Sequence, residues 1–443
     1  MEEHQPILQR RIEIPSGFLV EETVDLGGRD HTFTFGGDIR MGDLDGDGRV
    51  EFVTFRCAGG HKPCFIGAFD LDSMALWSFG EGGEQPLRPG AVAVYDIDGD
   101  GRDEVIAAFA PHDGGAAPDS CEDLRFVILE GATGTVRHEA VVKAISASGE
   151  RFDPSSRILV ADFQGHGRPA SLLIRTGRLY TALAADFSVL WTYRIPEAWT
   201  AYGHAPAYVP SVGDIDGDGR DEVNGGYFLL DHNGSPLWEK DHAPHCDSVA
   251  IDRWSDGQMR AFCSGHGTVF DSRGEVAVSL GAEAVPHGQE LRVAHFIKGL
   301  PGNQMIIRCN GHTPDVLVVT GEGRIAGEWF LNPTTNNTGM EAVYWDGPKN
   351  AALVCNGAAL WRASGSLEHL LPGLPTPLGN KERLRMSWYH CIPANVCGDE
   401  REEVVIYNPW DSFVNIYTPA PYDESAFEGY RAGPRQYNVR IMN

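Results

Sequence analysis

The chain has 443 residues, 42% of them hydrophobic and 22% charged, which supplies a large folded core and excludes a disordered or fibrous protein. Its 53 glycines and 27 prolines, with no sustained stretch of helical period, point to many short strands joined by turns. The 62 acidic residues against 36 basic ones give a formal charge of −26. That charge excludes general nucleic-acid binding but not an anionic sugar, because a few arginines at one mouth outweigh a negative exterior locally.

The first residues, MEEHQPILQRRIEIP, contain no apolar run of signal-peptide length, and no later apolar segment has membrane-spanning length. The chain as given therefore reads as cytoplasmic with no membrane partner, and as secreted if a leader has been removed. Nine cysteines, an odd number, fit a reducing compartment.

One pattern then recurs along the chain. Three full copies, MGDLDGDGRVEFVTF from Met41, VYDIDGDGRDEVIAAF from Val94 and VGDIDGDGRDEVNGGYF from Val212, place Asp-x-Asp-Gly-Asp-Gly and a glutamate between two apolar runs. Weaker copies begin at Val160, Ala250, Val293, Ala342 and Pro393. The equivalent positions Asp43, Asp96, Asp162, Asp214, Arg253, His295, Tyr344 and Asn395 are 39 to 66 residues apart, about one four-stranded propeller blade each. The prediction is an all-β fold, a β-propeller of eight blades (seven if a terminal unit is incomplete), forming a single domain over residues 1–443. Trp77, Trp191, Trp238 and Trp361 are expected on fourth strands, packing between blades. In this topology the Asp-Gly loops share one face. Residues before first strands, after second strands and at the ends of fourth strands share the other.

The acidic loops (Asp43, Asp45, Asp47, Glu51 and their equivalents) have calcium-like spacing, and equally the chemistry of turns held by aspartate–backbone hydrogen bonds. Unit three carries Gln164 and His166 instead, which favours the turn. On the opposite face Arg88, His245, His287 and Asn336 stand before first strands, with Asp247 and Gln289 two residues further on. Imidazole, carboxylate and amide groups converging there could hold a divalent cation, or simply bond to loops and water. The stretches HAPHCD and CSGH suggest zinc, but Cys57, Cys263, Cys309 and Cys355 recur at one repeat position, as small packing residues do. Arg56, Arg175 and Arg308 also recur, at the ends of second strands, and are read as an anion-binding mouth. His112, Tyr180, Arg194, His204 and Tyr208 are expected at the same face.

The strings GDIDGDGRDEV, LLDHNGSPLW, HCDSVAI, HGQELRVAHF, TNNTGMEAVYW and CGDEREEVVIY resemble the propeller polysaccharide lyases, which include rhamnogalacturonan, ulvan and L-rhamnose-α-1,4-D-glucuronate lyases. The resemblance covers units two to eight. It implies β-elimination at a uronic acid linked to rhamnose, and hence a uronic-acid-containing oligo- or polysaccharide as partner. It assigns His112 and Tyr180 to proton transfer and Arg194 to neutralising the uronate carboxylate, with Arg56, Arg88, His204, Tyr208 and Arg308 as substrate contacts. It also implies a calcium ion, held here by His245, Asp247, His287 and Asn336. The order of residues points first to a rhamnose–glucuronate linkage, with rhamnogalacturonan or ulvan as the alternative and a non-catalytic carbohydrate- or protein-binding propeller as the reading from another class.

Overall fold

Eight blades of four antiparallel strands surround a central channel, the first strand of each on the inner side, and blade 5 carries a fifth, parallel strand on its inner edge. The computed structural model describes residues 5–86, 90–112, 115–199, 206–240, 245–331, 336, 339–375, 388–423 and 429–439. Blade 1 opens with strand Asp38–Gly42, and blades 2 to 7 with Val92–Tyr95, Ile158–Ala161, Ser211–Gly213, Cys246–Arg253, Glu290–Ala294 and Glu341–Val343. Blade 8 takes three strands, His390–Ala394, Glu403–Tyr407 and Phe413–Thr418, from the C-terminal region. Its fourth is the N-terminal strand Ile7–Glu13, paired antiparallel with Phe413–Thr418. The eight repeats are thus eight blades, and the ring is closed by a strand that the repeat pattern does not contain. No helix among the described residues is long and apolar enough to cross a membrane.

The Asp-Gly loops explain why these strands turn where they do. Asp43 accepts from Gly46 N at 2.8 Å and Gly48 N at 3.0 Å, and Glu51 accepts from Leu44 N at 2.7 Å. Blades 2 and 4 repeat this with Asp96, Glu104, Asp214 and Glu222. Asp162 keeps the same bonds, to His166 N and Gly167 N, without the rest of the motif. Every first aspartate therefore organises its own loop as an Asx-type turn. In blade 2 a guanidinium completes the loop, because Arg137 meets Asp98, Glu104 and Glu130.

The residue before the glutamate has a different task. Asp103 Oδ2 accepts from Asp43 N of the preceding blade at 2.8 Å, Asp221 Oδ2 from Asp162 N at 2.7 Å, and Glu402 Oε2 from Tyr344 N at 2.8 Å. The paired acids of GRDEV and EREEV thus fold one loop and join it to its neighbour. Burial pushes the Asp103 carboxyl up to about 6 and Glu51, Glu104 and Glu222 up to about 8.

Fourth-strand tryptophans form the outer seam. Trp77 donates to Gly131 O at 2.6 Å and Trp191 to His232 O at 2.7 Å, each in the next blade. Gly234, at φ +81°, lies so close beneath Trp191 that a Cβ would come within 2.6 Å of the indole. Trp361 departs from the expectation. It ends a third strand, Ala359–Trp361, and packs in the layer between blades 6 and 7, whereas Trp329 occupies the fourth-strand position of blade 6.

Residues 429–439 return to the ring and enter the channel from the Asp-Gly face. Tyr430 N donates to Gly48 O at 2.6 Å, and Arg435 pairs with Glu402 and donates to Ala342 O at 2.6 Å. The Asn438 amide accepts from Val160 N and donates to Val160 O, so it serves the free edge of an innermost strand as another strand would. A cavity of about 150 Å³ remains beside this segment, lined by Leu291, Arg292, Glu341 and Ile392 from the ring and by Pro434 and Arg435.

Because Asp103 and Asp221 serve separate blade boundaries, their losses should add. Asp103→Ala and Asp221→Ala should each cost about 1–3 kcal/mol, the price of orphaning a buried N–H, and the double variant the sum. Urea denaturation followed by tryptophan fluorescence checks this.

Candidate functional site

The face opposite the Asp-Gly loops carries the additions to the ring. The hairpin Val20–Asp25 and Asp30–Phe35 packs Phe33 and Phe35 on Trp410, with ring centroids 5.2 and 5.1 Å apart. The segment 115–155 holds the third and fourth strands of blade 2 and two connections on this face. The first is tied down by the buried Lys62 ammonium, which bonds both Asp123 oxygens at 2.7 and 2.9 Å. The second carries Glu150 and the short helix Lys143–Ser146.

On the same face His245 and Asp247 open blade 5, and His287 stands just before the first strand of blade 6. His245 and Asp247, two residues apart on an extended chain, point to one side. His245 Nε2 lies 2.7 Å from Asp247 Oδ1, and His287 Nε2 lies 3.1 Å from Asp247 Oδ2. The rings meet edge-on at 5.4 Å. His287 is fixed through its backbone, its N–H donating to Cys309 O at 3.2 Å and its carbonyl accepting from Gly311 N at 2.7 Å. Its side chain is 40% exposed, whereas those of His245 and Asp247 are 9% exposed, so the group is open on the His287 side. Gln289 is buried, and its amide oxygen has no hydrogen-bond partner. The two imidazoles hold the Asp247 carboxyl down at about 2 despite its burial, and the carboxylate raises His287 above its ordinary value.

Other predicted site residues are placed differently. Asn336 brackets Tyr389, its Nδ2 donating to Tyr389 O at 2.6 Å and its Oδ1 accepting from Tyr389 N at 3.2 Å. This is the same service that Asn438 gives Val160. Arg56, Arg175 and Arg308 form no anion-binding mouth. All three are buried, and each reaches main-chain carbonyls: Arg56 those of Phe18 and Gly82, Arg175 those of Gly177, Ala207 and Tyr208, and Arg308 that of Thr313. Tyr208 is itself buried, in a short strand, Ala207–Val209, that pairs in parallel with the inner edge of blade 5.

Of the expected catalytic trio, His112 is exposed, and it lies against Gly82 on this face. Tyr180 has no exposed surface. It lies between blades 3 and 4 against Phe228, where burial pushes its phenol well above the ordinary range. Arg194 ends the outermost strand of blade 3 and pairs with Glu150. Register turns Tyr180 into the inter-blade layer, and Arg194, on the paired fourth strand, is engaged by Glu150, so neither side chain stands free at the open face. Arg88 and His204 lie outside the described residues.

All nine cysteines are free and buried. Cys246 packs in an apolar cluster with Ala207, Tyr227 and Cys263, apart from the group formed by His245, Asp247 and His287. The histidine and aspartate of HCD converge while its cysteine does not. The sequence reading missed the role of Glu150, which no repeat marks because it lies in an inserted connection. It also missed the amide clamps, whose signal is only an asparagine near the free edge of an inner strand.

A donor set of two imidazoles and one carboxylate is a poor match to calcium, a hard ion that takes 6–8 oxygen ligands. It suits a borderline divalent ion better.

No family model matches the chain. The rhamnogalacturonan exolyase YesX of Bacillus subtilis (strain 168) is 27% identical over 257 residues, 48% of this chain and 41% of the relative. The rhamnogalacturonan endolyase YesW of the same organism is 27% identical over 254 residues, 48% and 40%. The matched stretch thus spans about two fifths of the length of these curated relatives. Among solved structures, rhamnogalacturonan lyase YesW superposes with a TM-score of 0.66 at 20% identity, covering 94% of this chain and 76% of that one. The Bacillus licheniformis rhamnogalacturonan lyase PL11 superposes with a TM-score of 0.64 at 19% identity, covering 93% and 82%. The resemblance to the propeller polysaccharide lyases is therefore borne out in sequence and in fold.

The charge pairing at Asp247 fixes a pH dependence for the metal-free protein. The Asp247 contribution to stability is present above 3.8, the ordinary value, and is lost as pH falls toward about 2. The His287 contribution is present below 6.5 and is lost as pH rises through its raised value. Asp247→Asn should therefore lower the melting temperature most between these limits and less at pH 8, and should bring the His287 titration, followed by NMR, back toward 6.5.

Proposed function

We propose that the chain is a polysaccharide lyase that breaks a rhamnose–uronate linkage by β-elimination, with a rhamnogalacturonan glycan as its first substrate. The observation that carries this reading is the coincidence of two rhamnogalacturonan lyase relatives in sequence with a His245–Asp247–His287 group on the open face of the ring. Fold alone would not carry it, since propellers serve many functions. A rhamnose–glucuronate linkage ranks second, because it was inferred from a residue order that includes Tyr180, which is fully buried.

β-Elimination requires the uronate carboxylate to be neutralised so that the C5 proton becomes acidic. That proton must then be removed and the O4 leaving group stabilised. His112, exposed on the open face, is the proposed proton-transfer residue. His245, Asp247 and His287 would hold a divalent cation, which when bound supplies positive charge for a carboxylate. The C-terminal segment lies in the channel on the Asp-Gly side, so the substrate is expected at the opposite mouth. A non-catalytic binder would instead be expected to gather its conspicuous groups on the Asp-Gly face, where the acids serve their own loops and neighbours.

Incubation with rhamnogalacturonan and with rhamnose–glucuronate glycans should generate the ultraviolet absorbance of an unsaturated uronate, strongest with the former. His112→Ala should reduce kcat by at least about 100-fold, the usual yield of one proton-transfer group. New reducing ends without that absorbance would identify a hydrolase and overturn the proposal.

A further inference from the structure

We infer that the metal taken by this propeller at His245, Asp247 and His287 is a divalent transition-metal ion of the zinc or nickel class, and not calcium. Among the described residues these three offer ligand atoms that all lie within 4.8 Å of one another. Both imidazoles already aim Nε2 at the same carboxylate, so an ion between them would replace two hydrogen bonds without moving the backbone. Neutral imidazole is a good ligand for zinc, copper, iron or nickel and a poor one for calcium.

Charge and shape argue the same way. Calcium sites gather several carboxylates or carbonyls, and this group contains one carboxylate. A divalent ion here would keep a net positive charge on the side where His287 is exposed. Its remaining positions would be open, on the exposed His287 side, to water or to an anionic ligand. Three protein ligands with an open position are the arrangement of reactive metal sites and not of closed structural ones. The ligands also come from two blades, so the ion would bridge blades 5 and 6.

This inference concerns the ion and holds whether or not the lyase reading does, because its test needs no glycan. The full-length protein is stripped with EDTA and titrated calorimetrically with zinc, nickel and calcium chlorides, and the cobalt(II) form is examined by visible absorption. One transition-metal ion should bind per chain, and excess calcium should not displace it. Asp247→Ala or His287→Ala should weaken it by about tenfold or more, in line with the loss of a ligand or its support. Cobalt(II) should give d–d bands without thiolate charge transfer. His287→Gln, at the exposed position, repeats the test should either alanine variant fail to fold. Transition-metal binding that survives both substitutions with an unchanged constant would overturn the inference. So would calcium uptake that is as tight and is lost with the same residues, or a thiolate band placing the ion on a cysteine.

Discussion

A buried carboxylate that accepts a main-chain N–H from the neighbouring blade is the constraint on which this ring depends. Asp103, Asp221 and Glu402 each span a blade boundary, while the glutamate beside each one closes its own loop. Propeller blades otherwise meet through apolar layers, which resist separation but not sliding. A directed hydrogen bond at the tip of these three boundaries fixes the angle between the blades it joins. At the boundary of blades 8 and 1, Val50 stands at the corresponding position, and the returning C-terminal segment bonds to Gly48 instead.

With one face held by these loops and by the C-terminal segment, the other is free to carry chemistry. The insertions, the hairpin and the inner strand Ala207–Val209 all lie there, and so do the imidazoles that meet at Asp247. Their convergence follows from topology, since first strands all begin at this face beside the channel. Two residues at the start of one blade and one at the start of the next are brought together although 40 positions separate Asp247 from His287.

Much of this was legible in the sequence. The period gave the blade count, the acid spacing gave the turns, and the offset before each first strand selected His245, Asp247 and His287. The arginines were misread for an instructive reason. A residue that recurs at one repeat position can serve the architecture as readily as a ligand, and these three strand ends face main-chain carbonyls of nearby loops. Arg56, Arg175 and Arg308 satisfy those carbonyls. The position of Tyr180 depends on which side of a strand faces the next blade, a parity that a one-residue shift inverts. Arg194 depends on Glu150, which belongs to an insertion outside the repeat.

The central claim is that an acidic glycan is handled at the mouth where His287 is exposed. A crystal structure of the His112→Ala variant soaked with a rhamnogalacturonan oligosaccharide tests it most directly. The account predicts a glycan across the open mouth between position 112 of blade 2 and blades 5 and 6, with a uronate carboxylate directed at the His245–Asp247–His287 group. A glycan bound on the Asp-Gly face, or along the outer strands, would contradict it.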